Sequence, residues 1–195
     1  MDDDATLLTR WRDGDATAGR ALFQRYFDPL YRFFATKCDE PDELVQTTFL
    51  AIVKARDQFE GRSSFRTYMY QIARHELYAH LRRLQRTRLF DPNVSELRDW
   101  VTTPATRLAR NESHRQLVEA LRALPVDQQM LLELHYWDEL DAAELAAVLE
   151  TTPGAIRTRL TRARTALRER LAEAAALPVT SSDEAIDAWA RTVSR

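Results

Sequence analysis

Six arginines and a single acid, Glu169, stand between Pro153 and Arg170. A guanidinium fork can bond a guanine edge through two N–H groups or hold a phosphate. Arg157, Thr158, Thr161, Arg162, Thr165 and Arg168 fall on one side of a helical wheel. Ile156, Leu160, Ala163, Leu167 and Leu171 fall on the other, within about 80° of one another at about 100° per residue. The segment therefore predicts a helix with an apolar rail and a donor-rich outer face. Thr152 offers an N-cap oxygen, and Pro153 takes the first helical position, where its missing N–H costs nothing. A shorter helix from Glu144 ends at Leu149, so the pair reads as a helix–turn–helix suited to a major groove. An Arg-rich amphipathic helix can equally be a solvated face. The turn, the cap and the sidedness together go beyond what a charge run supplies.

A second cluster mixes aromatic and basic residues. From Gly61 to Arg88 there are seven arginines and one acid, Glu76. Phe65, Tyr68, Tyr70 and Tyr78 stand beside Arg66, Arg74, Arg82 and Arg83. Aromatic faces that stack on unpaired bases, next to guanidinium groups that hold phosphates, suit single-stranded DNA. The competing reading makes Phe65, Tyr68 and Ile72 ordinary core. A loop, Phe59 to Ser64, precedes the helix. Gly61 allows a left-handed backbone there, and Ser63 or Ser64 can cap the helix.

Other chemistry is poorly supported. Cys38 is the single cysteine, so there is no disulfide framework. His75 and His80 are spaced i,i+5, off the spacing that puts two ligands on one helical face. No Ser/His/Asp, metal or Gly-rich phosphate signature supports catalysis, and no cofactor is expected. The N-terminus, MDDDATLL, is acidic, unlike a signal peptide. The charge-free run Leu44 to Val53 is far too short to span a bilayer. The expected location is cytoplasmic. The net charge is −2, and 26 of 28 basic residues are Arg. Their distribution along the chain matters more than the total.

The elements that must position these groups read as helices throughout. With four glycines and many helix formers, the composition predicts an all-α chain. A short helix over DATLLTRWRDG comes first. Asp15 to Phe34 is the second, its core side carrying Leu22, Phe23, Tyr26, Phe27, Leu30, Phe33 and Phe34 at 3–4 spacing. Pro41 opens a helix over 42–58, with Val45, Phe49, Ile52 and Val53 expected inside. Glu43, Gln46, Thr47, Leu50 and Lys54 face out, with Leu50 the apolar residue on a polar face. A partner-binding face is the sharper reading of it, and a solvated face the plainer one. The next helix runs from Phe65 to about Gln85. Residues 86–111, with Pro92 and Pro104, read as a linker. Helices over 112–124 and 127–137 lead into the helix–turn–helix. In the tail, Ser181 and Glu184 have capping-box spacing, and Ile186, Trp189, Ala190 and Val193 come after them at helical intervals.

ELVQTTF (43–49), FEGRSSFRTYMYQIARHELYAHLRR (59–83) and LRALPVDQQMLLELHYWDELDAAELAAVLETTPGAIRTRLTRARTALRERL (121–171) occur in that order. Together they resemble the extracytoplasmic-function (ECF) class of bacterial sigma-70 factors, over about residues 15–171. The resemblance implies two small helical domains joined by a flexible linker. Residues 1–85 would be region 2, 86–111 the linker, 112–172 region 4 and 173–195 a tail. It implies a non-catalytic subunit, monomeric when free, that binds core RNA polymerase at the β′ clamp and β flap and directs it to promoter DNA. Glu43, Gln46, Thr47 and Leu50 would meet the clamp. Arg62, Ser63, Ser64, Phe65, Arg66, Tyr68, Arg74 and His75 would recognise and open the −10 element. Thr152, Arg157, Thr158, Arg159, Thr161, Arg162 and Arg164 would read the −35 element, with Arg159 and Arg164 nearer the backbone. An anti-sigma factor, or the tail, would control the protein. Two residues depart from the family pattern: Thr47 replaces a common Glu, and His75 a common amide. A stand-alone helix–turn–helix regulator is the rival, and it predicts a palindromic site bound without polymerase.

Overall fold

The structure, a computed structural model, describes residues 2–59, 61, 63–90 and 112–173. Every regular element among them is helical: α1 (Asp4–Arg12), α2 (Ala16–Ala35), α3 (Pro41–Ala55), a 3-10 turn (Arg56–Gln58), α4 (Phe65–Phe90), α5 (Glu112–Arg122), α6 (Val126–Tyr136), α7 (Ala142–Val148) and α8 (Pro153–Glu173). They form two compact units, α1–α4 and α5–α8. The all-α, two-unit expectation holds. The fourth helix runs on to Phe90, past the expected end near Gln85. The remainder of the expected linker and the tail beyond Glu173 lie outside the described residues.

In the first unit, acids start the first two helices. Asp3 accepts from the Thr6 amide at 2.7 Å, and Asp15 from those of Thr17 and Ala18. The Asp15 carboxyl also takes the Thr17 hydroxyl and the Arg10 guanidinium, which hold its pKa down to about 2. Gly19 lies inside α2, where glycine normally costs about 1 kcal/mol relative to Ala. A Cβ there would stand 2.5 Å from Trp11 Nε1, so its absence admits the α1 indole. Trp11 meets Phe23 edge-on at 5.3 Å, and Phe23 stacks on Phe49 at 4.4 Å. One aromatic ladder thus joins α1, α2 and α3. At the other end of α1, Asp4 accepts from Arg25 and from the Tyr26 hydroxyl, both on α2, which ties the two helices together. Burial and the Asp4 carboxylate push the Tyr26 hydroxyl pKa up.

Two apolar assignments change. Val53 is 44% exposed and Phe27 43%. The buried side of α3 is Pro41, Leu44, Val45, Thr48 and Ile52, which places Val53 roughly 125° from its centre at about 100° per residue. Thr48 is tolerated inside because its hydroxyl donates to the Leu44 carbonyl at 2.7 Å. Phe27 instead stacks near Tyr31, at 6.2 Å, on the outside of α2. Cys38 is buried, and burial pushes its thiol pKa up to about 11. A thiol so far from ionising is a small core residue rather than a nucleophile.

In the second unit, α7 carries a full capping box. Asp141 Oδ1 accepts from the Ala143 and Glu144 amides, at 2.7 and 2.8 Å. Glu144 Oε2 accepts from the Asp141 amide in return, at 3.0 Å. The helix closes with the Thr151 amide on the Ala146 carbonyl (2.9 Å) and the Glu150 amide on the Ala147 carbonyl (3.3 Å). This is a Schellman turn, with Glu150 at φ 52° in the left-handed position that glycine usually takes. It is the turn of the helix–turn–helix.

Candidate nucleic-acid and polymerase interface

The outer face of α8 is set by its inner one. Ile156, Leu160, Ala163, Leu167 and Leu171 are all buried, as their spacing predicts. The Ala155 amide donates to Thr152 Oγ1 at 3.2 Å, so Thr152 is the cap at the turn. Opposite the rail, Thr152, Arg157, Thr158, Arg159, Thr161 and Arg162 are exposed. Among the described residues Arg157, Arg159 and Arg162 make no ion pair, so their charge is unspent. The hydroxyls of Thr158, Thr161 and Thr165 donate to carbonyls one turn back, at 3.4, 3.2 and 3.2 Å. With the hydroxyl protons so engaged, the oxygens of these exposed residues are left to act as acceptors toward a base.

Arg164 departs from this face. Its Nε donates to the Tyr136 hydroxyl at 2.9 Å, and its Nη2 lies 3.1 Å from His135 Nε2. The guanidinium also sits 5.8 Å from the Tyr136 ring centroid. The wheel explains the difference: Arg164 is roughly 60° from the centre of the buried rail, at about 100° per residue, so its side chain reaches α6. In the structure Arg164 braces α6 against α8, set apart from the exposed positions of Arg157, Arg159 and Arg162.

The expected −10 residues divide. Phe65 is 3% exposed and packs near Tyr26, with centroids 5.5 Å apart. It is core in this conformation and presents no ring face to a base. Tyr68 is half-buried, 4.7 Å from the buried ring of Phe59. Ser64 caps α4, its Oγ accepting from the Thr67 amide at 3.1 Å. Gly61 takes φ 71° in the loop. Arg66, Arg74 and Ser63 are half-buried and His75 is exposed; Arg74 lies over Tyr78 at 5.5 Å. Arg62 lies outside the described residues. Sequence reading passed over a straighter line along α4. Tyr68, Gln71, His75, Arg82 and Arg86 fall within about 60° on the outward side, at about 100° per residue. Their 3–4–7–4 spacing was the signal, hidden because the segment reads as aromatic and basic all round.

On α3, Glu43, Gln46 and Leu50 are exposed and Thr47 half-buried, its hydroxyl donating to the Glu43 carbonyl at 2.8 Å. Leu50 is 59% exposed. Val53 joins it, so the face holds two neighbouring aliphatic side chains rather than one. At its rim Glu43 Oε1 lies 3.9 Å from Arg83 Nη2, both largely in solvent, a pair too exposed to add much stability.

Two helical units, one ending in a capped helix–turn–helix with an exposed basic face, define a multi-domain DNA-binding protein. The comparisons narrow the class. Residues 22–87 match the model of sigma-70 region 2, and residues 114–167 that of sigma-70 region 4. The ECF RNA polymerase sigma-E factor of Salmonella typhimurium strain LT2 is 30% identical over 183 residues, covering 86% of this chain and 94% of the relative. The Escherichia coli K12 sigma-E factor matches with the same identity and coverage. In fold, the chain is similar to CnrH, solved in complex with the cytosolic domain of CnrY: TM-score 0.66, 23% identity, 88% of this chain and 99% of that one. It is also similar to RpoE of Bartonella quintana, solved with the anti-sigma factor NepR: TM-score 0.64, 21% identity, 78% and 98%. The chain belongs to the ECF sigma factors of the sigma-70 family. It is a transcription-initiation factor that directs RNA polymerase to promoters. Among the described residues no helix is long and apolar enough to cross a membrane.

Proposed function

We propose that the two units divide promoter recognition between them, with no catalytic step of their own. The first unit, within residues 1–85, docks on the polymerase clamp through Glu43, Gln46, Thr47, Leu50 and the adjoining Val53. Its 59–64 loop and the outward line of α4 hold the −10 strand. The second, within 112–172, lays α8 in the −35 major groove, with Thr158, Thr161 and Arg162 central and Arg157 and Arg159 on the flanks. Residues 86–111 link the units. Melting results from tighter binding of single-stranded than paired bases, without ATP. Each footprint is small, and joining them through polymerase raises effective concentration, so neither unit need bind tightly alone. A near-neutral total charge limits competing non-specific binding.

The observation that carries this reading is the sidedness of α8: five buried apolar positions behind a capped turn, with Arg157, Arg159 and Arg162 exposed opposite. Control by an anti-sigma factor is proposed from the solved RpoE complex, which pairs a chain of this fold with NepR. Cytoplasmic location is proposed from the site of transcription. The test mixes purified protein with core polymerase on duplex templates. Promoter-dependent transcripts support the reading. Specific duplex binding to a palindrome without polymerase favours the stand-alone regulator and overturns it.

A further inference from the structure

We infer that Arg12, at the end of α1, is a positioning residue for −10 selectivity: its guanidinium clamps the upstream anchor of the 59–64 loop. This rests on the loop's proposed role in holding the −10 strand. Arg12 Nε donates to the Arg56 carbonyl at 3.1 Å, and its Nη2 donates to the Phe59 carbonyl. Both acceptors lie where α3 and its 3-10 turn run out, and the ends of helices leave carbonyls without amide partners. A cation there also meets the negative end of the helix dipole. Arg56 returns the contact, its Nη1 donating to the Trp11 carbonyl at 3.4 Å while its guanidinium lies 5.4 Å from the Trp11 ring centroid. Two arginines, 44 residues apart, thus hold each other's helix ends.

The clasp ends at the loop's first residue. Phe59 is buried, its ring 4.7 Å from Tyr68 on α4 and 5.9 Å from the Arg12 guanidinium. Ser64 pins the downstream end by capping α4. Phe59 and Ser64, the residues that bound the loop, are therefore both held, and Arg12 holds the upstream one from a separate helix. General anchoring of α1 does not depend on Arg12, because Trp11 already seats against Gly19 and Phe23. What Arg12 adds falls on the Phe59 carbonyl, and so on where the loop starts.

The test uses full-length protein assembled with core polymerase, on a promoter enriched by that holoenzyme from a randomised duplex library. Transcript yield is measured on this promoter, on derivatives with single −10 changes and on derivatives with single −35 changes. Arg12→Ala should lower the ratio of parent to −10 variants about tenfold, the scale for losing charged hydrogen bonds. It should leave the −35 ratio and co-purification with polymerase unchanged. Arg12→Lys, with one point charge in place of a fork, should lower the −10 ratio less. A common fall on every template, or an unchanged −10 ratio, overturns the inference. Ser63→Ala separates the two levels. If Ser63→Ala shifts the −10 ratio and Arg12→Ala does not, the loop reading stands and Arg12 is excluded. If neither shifts it, the loop reading fails and takes the inference with it. Should Arg12→Ala not fold, Arg12→Lys is judged by the same ratios.

Discussion

Arg164 of α8 donates its Nε to the hydroxyl of Tyr136 on α6, at 2.9 Å. The bond ties the proposed recognition helix to the helix behind it. It holds one arginine of α8 against α6, behind the proposed DNA face. Tyr136 is itself buried, and this bond gives its hydroxyl a partner.

Arg164→Ala is therefore expected to act on stability first. Losing the bond should cost about 1–3 kcal/mol in denaturant unfolding of the second unit, and Tyr136→Phe about 1 kcal/mol. Arg159→Ala, fully on the exposed face, should leave unfolding within about 0.5 kcal/mol. If Arg159 holds a phosphate, its loss also reduces the salt slope of −35 binding by about one. A large salt-slope change for Arg164→Ala, with unfolding unaltered, would restore it to the DNA face.

Leu50 supplies a test of the polymerase face. Leu50→Asp changes a residue 59% exposed, so unfolding should shift by no more than about 0.5 kcal/mol. A charge at the centre of a desolvated contact should reduce association with core polymerase by at least about tenfold, measured by co-purification and titration. Val53→Asp should weaken it in the same direction. Normal association of both variants would exclude this face.

Gly19→Ala sets helix propensity against packing. On propensity alone Ala would stabilise α2 by about 1 kcal/mol. The new Cβ would meet Trp11 Nε1 at 2.5 Å, and the indole is held by Phe23. Overpacking should win, lowering stability by about 1–3 kcal/mol. A raised melting temperature would show that α1 can give way freely.

Asp15 gives the first unit an acid limb. Its carboxyl is held at about 2, against an ordinary 3.8, mainly by the Thr17 hydroxyl and Arg10. The unfolded chain binds the proton more tightly, so the charge stabilises the fold above about pH 4, and that contribution is lost as pH falls through about 2. Asp15→Asn keeps a capping oxygen but not the charge. Wild type should be the more stable at neutral pH, and the difference should shrink between about pH 4 and 2. A constant difference across that window would place the stabilisation in the cap alone.

How much of this was legible beforehand depends on the range of the cause. The rail of α8, the Thr152 cap, Pro153 as a first helical residue, Pro41 at a helix start, and a cap from Ser63 or Ser64 all turn on neighbours within four or five positions. Periodicity and capping chemistry report such relations directly. The family pattern extended that reach, because the order of ELVQTTF, the Phe59–Phe65 stretch and the Arg-rich helix marks both units.

The tertiary structure decided what lies between elements. Phe65 and Val53 are both apolar, and only the packing of α2 against α3 and α4 buries one and leaves the other out. Arg164 and Arg162 are two residues apart on one helix, and a tyrosine 28 positions away separates their roles. Gly19 reads as a weak point in a helix until the α1 indole fills its place. In each case the energy belongs to a contact between segments distant in the chain. A local pattern constrains which side chains share a face, but only close packing determines what that face meets.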